Sequence, residues 1–76
     1  MERNDLDFVA AGGPPILEHR RIGALLRVAA IDPDSGTEVV IQGRASGDHA
    51  ALERLALRKL AWALDRAAGR RRPGPH

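Results

Sequence analysis

The stretch Ala24-Leu25-Leu26-Arg27-Val28-Ala29-Ala30-Ile31-Asp32-Pro33-Asp34-Ser35-Gly36-Thr37-Glu38-Val39-Val40-Ile41-Gln42 decides the fold. Its two flanking runs are rich in Val, Leu and Ile, and the segment between them is a strong turn signal. Pro33 pre-sets φ near the second turn position, and Gly36 supplies a left-handed one. The pattern predicts strands over 24–31 and 37–42 joined as a hairpin.

Upstream, residues 16–20 alternate with a period of two, and Ile22-Gly23 reads as a second turn. A third strand therefore precedes the hairpin. Downstream, Ser46 or Asp48 can cap a helix by accepting a hydrogen bond from an otherwise orphaned amide. Residues 49–68 are rich in Ala, Leu, Arg and Lys, all strong helix formers. Gly69 is expected to stop the helix, with Pro73 beyond it. The expected class is α+β: a three-stranded antiparallel β-meander packed against one C-terminal amphipathic α-helix. Residues 1–13 read as a flexible N-terminal arm, 14–69 as the β-β-β-α domain and 70–76 as a disordered basic tail. Leu6, Phe8 and Val9 are candidates for an additional strand.

The turns imply a register. Pairing Ala30 with Val39 and Val28 with Ile41 gathers Leu26, Val28, Ala30, Val39 and Ile41 on one face. Pairing Leu17 with Val28 adds Leu17, sets His19 opposite Leu26, and leaves Glu18 opposite Arg27 on the other face. An opposite-charge cross-strand pair suits an exposed face. That face also carries Ile16, Ala29, Ile31 and Val40. Two readings are open for it: scattered surface residues, or a patch covered by the N-terminal arm or a second subunit.

At 100° per residue the helix resolves into sectors. Leu52, Ala56, Leu57, Leu60, Ala63, Leu64 and Ala67 form the core sector. Arg54, Arg58 and Asp65 face water. Leu55 and Trp62, seven apart, lie to one side, with Lys59 and Arg66 between them and the core. Either Lys59 and Arg66 lay aliphatic stems over a wide core face, or Leu55, Trp62 and these stems form a second contact seam. A helix of this length spans roughly 30 Å, and six-residue strands cover roughly 20 Å. The overhang favours the seam, with a second copy of the domain as its cover.

Composition narrows the function classes. The chain has 76 residues and no cysteine. Disulfides, zinc-finger cysteines, thiol redox chemistry and a cysteine nucleophile are excluded. Domains this small are marginal alone, so oligomerisation is the expected aid. The three histidines, His19, His49 and His76, lie far apart and present no metal pair. Residues 1–47 carry seven acids against five bases, and residues 48–76 three against seven. The basic half is the helix and tail. No secretory leader or membrane span is apparent, so a soluble cytoplasmic protein is expected.

Tempting motifs dissolve on spacing. Ser46, Asp48 and His49 diverge at a helix start and make no catalytic relay. Asp32-x-Asp34-x-Gly36-x-Glu38 has Gly at the wrong position for a calcium loop. Gly12-Gly13 lacks the Lys-Ser/Thr of a phosphate loop. The β-β-β-α order resembles part of a double-stranded-RNA-binding domain. The helix start, Gly47-Asp48-His49-Ala50, carries an acid and no lysine, so that family's RNA contacts do not transfer. The run from Ala30 to Gly43, followed by Leu52-Glu53-Arg54-Leu55-Ala56-Leu57-Arg58-Lys59-Leu60, is similar to a group of short alphaproteobacterial proteins of unknown function. The pattern shared is Asp-Pro-x-x-Gly-x-Glu-Val and Leu-x-x-Leu-Ala-x-x-Lys-Leu. The resemblance spans residues 16–64 and implies a bacterial, cytoplasmic protein. Position 19, where that pattern has an aromatic, holds His19.

Three functional classes follow. The first is a non-enzymatic interaction module, a homodimer or a binder of another protein, with Leu55, Trp62, Lys59 and Arg66 at its contact; an exposed strand edge is a second contact. The alternative is a nucleic-acid accessory protein using Arg54, Arg58 and Arg66 with the tail Arg70, Arg71 and Arg72. An enzyme is the third: no nucleophile, base and oxyanion donor cluster, and a site holding Glu18 or His19 would need two chains. No cofactor, metal or membrane partner is expected.

Overall fold

A computed structural model of the chain describes residues 13–71. It contains β1 (Ile16–Ile22), β2 (Leu25–Ile31), β3 (Glu38–Arg44) and α1 (His49–Arg71). The strands form one antiparallel sheet in the order β1-β2-β3, with α1 packed on one side. The expected α+β architecture is the one found. The arm, with Leu6, Phe8 and Val9, and the end of the tail lie outside the described residues.

The β2–β3 hairpin follows from its turn. Gly36 adopts φ 77°, a left-handed value that costs glycine little. Its amide donates to the Asp32 carbonyl at 2.8 Å, and the Asp32 amide donates to the Thr37 carbonyl at 2.8 Å. The Ser35 hydroxyl and amide both donate to Asp32 Oδ2, at 2.7 and 3.0 Å. The Thr37 amide in turn donates to Ser35 Oγ at 3.1 Å. These bonds hold Ala30 opposite Val39 and Val28 opposite Ile41, as the turn implies.

The β1–β2 register differs from the expected one by two residues. Leu17 lies opposite Ala30, His19 opposite Val28, and Glu18 opposite Ala29. The connection is the two-residue segment Gly23-Ala24, with Gly23 at φ 60°, so Ile22 pairs with Leu25 and β1 runs on past Arg20. A tight turn fixes hairpin register more firmly than a surface charge pair. The shift is even, so every side chain keeps its face. It does set Arg20 directly opposite Arg27, a destabilising like-charge pair.

Leu26, Val28, Ala30 and Ile41 on the inner face meet Ala56 and Leu60 of α1 to form the core. Leu17, Val39, Leu52, Leu55, Leu57 and Leu64 pack around it. Helix α1 lies over β2 and β3. Asp48 is its cap: Oδ1 accepts from the Ala51 amide at 3.1 Å. The His49 ring nitrogen Nε2 donates to the Ala45 carbonyl at 2.6 Å. The helix runs through Gly69 to Arg71 rather than stopping at Ala68. Glycine inside a helix costs about 1 kcal/mol but does not break it.

Gly43 brings sheet and helix into close approach. A β-carbon there would lie 2.6 Å from one methyl of Leu52 and 2.8 Å from the other. Gly43→Ala should therefore cost about 1–3 kcal/mol, the usual range for overpacking. Adding Leu52→Ala should recover part of that loss, read as non-additivity in urea unfolding of the four chains of the cycle. The turn yields a second expectation. The Asp32 carboxyl is held below the usual carboxylate range, chiefly by the Ser35 hydroxyl and then by the Ser35 amide. A depressed folded-state value means that the turn's support is present above the ordinary carboxylate pKa. It is lost as pH falls through the lowered value. Carboxyl NMR titration should find Asp32 low in the wild type and returned upward in Ser35→Ala.

Candidate functional site

The described residues leave two surfaces uncovered. The first is the sheet face turned away from α1. Side chains alternate across a strand, so the register fixes its four rows: Ile16–Ile31–Glu38, Glu18–Ala29–Val40, Arg20–Arg27–Gln42 and Ile22–Leu25–Arg44. Ile16, Ile22, Leu25 and Val40 are between 39% and 52% exposed. Of the five exposed large hydrophobic residues among those described, four lie here and Trp62 does not. The exposed apolar residues thus share one face, in two groups on either side of the polar row Arg20–Arg27–Gln42. Ala29 lies low between Glu18 and Val40 and is 2% exposed.

Charge on this face is sorted by row. Both acids, Glu18 and Glu38, occupy the first two rows, and all three arginines, Arg20, Arg27 and Arg44, the last two. None of the five forms an ion pair with another described residue.

The second surface is a flank of α1. Leu55, Arg58, Lys59 and Trp62 line an open groove of about 280 Å³. Leu52 contacts Gly43 of β3 and Glu53 contacts His19 of β1, so the groove lies on the flank nearer β3. Trp62 is 61% exposed. The Arg66 guanidinium stacks over its ring, 4.5 Å from the centroid, a cation–π contact.

The expected seam residues Leu55, Lys59, Trp62 and Arg66 therefore do share one flank. Leu55 is half-buried and packs against the core as well, so it belongs to both surfaces. Arg58 is exposed, as expected, and it also forms a wall of the groove, three and four residues from Leu55 and Trp62 along the helix. Arg54 is exposed and outside the groove. Arg70 and Arg71 occupy the last helical positions, and Arg72 lies outside the described residues.

Glu18, His19, Arg20 and Arg27 border an open hollow of about 380 Å³ around β1. Glu18 and His19 are neighbours on a strand, so they point to opposite faces. His19 Nε2 instead meets Glu53 Oε2 at 2.7 Å, tying β1 to the helix. Ser35 is engaged in the Asp32 turn, far in sequence from either. These residues do not assemble a nucleophile, base and orienter. Among the described residues no three His, Asp or Glu side chains are grouped to hold a metal ion. No described helix is long and apolar enough to cross a membrane.

The charge sorting on the sheet face escaped the sequence reading because it depends on the β1–β2 register. The signal that would have found it is the brevity of the Gly23-Ala24 connection.

Comparison with known proteins gives a family and no activity. No curated protein and no solved structure matches the chain. A family model described as a domain of unknown function, DUF6898, matches residues 13–67. The match takes in all three strands and most of α1, which is well over half of the sequence. The chain belongs to the DUF6898 family.

Proposed function

We propose that this domain is a non-enzymatic protein-interaction module that works as a homodimer. One observation carries the reading. The described residues cover the sheet on one side only, and four of their five exposed large hydrophobic residues lie on the other side. Exposed apolar residues collected on one face of so small a domain support its use as a contact surface. Two-fold dimers are the commonest oligomers, and a second copy would cover such a face. The likeness to short alphaproteobacterial proteins supports a bacterial, cytoplasmic setting.

The helix groove supports a second reading, a nucleic-acid accessory role. A well-exposed Trp62 stands among Arg58, Lys59 and Arg66. An aromatic ring with flanking cations can stack a base and neutralise phosphates. The sheet contributes no aromatic residue to such contacts.

The homodimer predicts a solution mass about twice the chain mass of 8.2 kDa. Light scattering after size exclusion, over a concentration series reaching several hundred micromolar, reads this directly. A chain that stays monomeric throughout removes the homodimer. The second reading predicts that a short single-stranded oligonucleotide binds at low salt and is released steeply as salt rises. Trp62→Ala should weaken that binding by about 1–3 kcal/mol, the usual worth of one base–aromatic stack. No binding by fluorescence anisotropy at low salt would rule it out.

A further inference from the structure

We infer that the sheet face that no described element covers takes a second copy of this chain in one orientation, strands antiparallel, with its acidic rows on the partner's basic rows. This rests on the homodimer reading and names its surface and geometry.

The rows of the face decide the orientation. Two sheets stacked face to face can be related by a two-fold axis running across the strands or along them. The axis across the strands exchanges the first row with the fourth and the second with the third. Glu38 then meets the partner's Arg44, and Glu18 meets the partner's Arg20. Ile16 lies on the partner's Ile22, and Ile31 on the partner's Leu25. Arg27 comes over the partner's Ala29, which presents no charge to it. Every charged residue faces an opposite charge or a small neighbour, and the large apolar residues of the end rows meet one another.

The axis along the strands does the reverse. It keeps each row on itself and exchanges β1 with β3. Arg27 would face the partner's Arg27, Ile16 the partner's Glu38 and Ile22 the partner's Arg44. Like charges and charge-on-apolar contacts select against that arrangement.

Two features of the single chain agree. The five charges are unpaired with one another or with other described residues. The Arg20–Arg27 pair carries an unrelieved repulsion, since the two lie directly opposite. In the dimer the partner's Glu18 is set against that pair.

A charge-swap experiment tests the surface. One chain carries Glu18→Arg and Glu38→Arg, making the face wholly basic. The other carries Arg20→Glu and Arg44→Glu, leaving Arg27 as its single base. Arg20→Glu removes the like-charge pair within the sheet, so loss of association in that chain is not loss of fold. Circular dichroism checks both. Each variant alone should be monomeric at concentrations where the wild type is dimeric. An equimolar mixture should restore the dimer as a heterodimer, read by native mass spectrometry.

A monomeric wild type overturns the homodimer and this surface with it. A dimeric wild type with both variants still forming homodimers, mixing without preference, overturns the surface alone. So does a wild-type dimer that Trp62→Ala dissociates and the charge swaps leave intact, which would place the contact on the helix flank.

Discussion

Everything in this domain depends on one layer contact, the closure of Ala56 and Leu60 over Leu26, Val28 and Ala30 of the central strand. A three-stranded sheet has two faces and a single helix can cover only one. The helix lies over β2 and β3, where alanines at 30 and 56 let backbones approach and Gly43 admits Leu52. The described residues thus form a half-sandwich, with no described element on the second face of the sheet.

Much of the fold was legible in the sequence, for identifiable reasons. Asp32 to Gly36 is a turn with few alternatives, and it set the β2–β3 register correctly. Asp48 was one of two residues expected to cap α1, and it is the one whose carboxylate does so. The inner face was read correctly even where the β1 register was not, because a shift of two residues preserves side-chain alternation. The errors sit where two weak local signals competed. Glu18 and Arg27 attract, but the Gly23-Ala24 turn acts on covalently adjacent residues and wins. Gly69 disfavours helix but does not forbid it.

The candidate surfaces were legible to different degrees. Trp62 stood off the core sector in the sequence, and it is exposed. Leu55 did not separate cleanly, because a leucine on the flank of a helix serves the core and the surface together. The pattern of the outer sheet face could not be read beforehand. It is a property of rows, and rows exist only once the register of both hairpins is fixed. A shift of two residues on one strand changes which charges are neighbours without changing which residues are exposed.

The position of β1 has a consequence for how the domain opens. This strand lies at an edge, beyond the main helix contact, and six of its seven residues are exposed. It is held by its ladder to β2, by partial cover of Leu17 and by the His19–Glu53 contact. The strands β2 and β3 share the buried core with α1, so separating any of them exposes it. The domain therefore divides into a cooperative unit of two strands and a helix, and a strand whose amides exchange with solvent through a smaller, local opening. Since β1 supplies Ile16, Glu18, Arg20 and Ile22 to the outer face, any molecule bound across that face also raises the free energy of this opening.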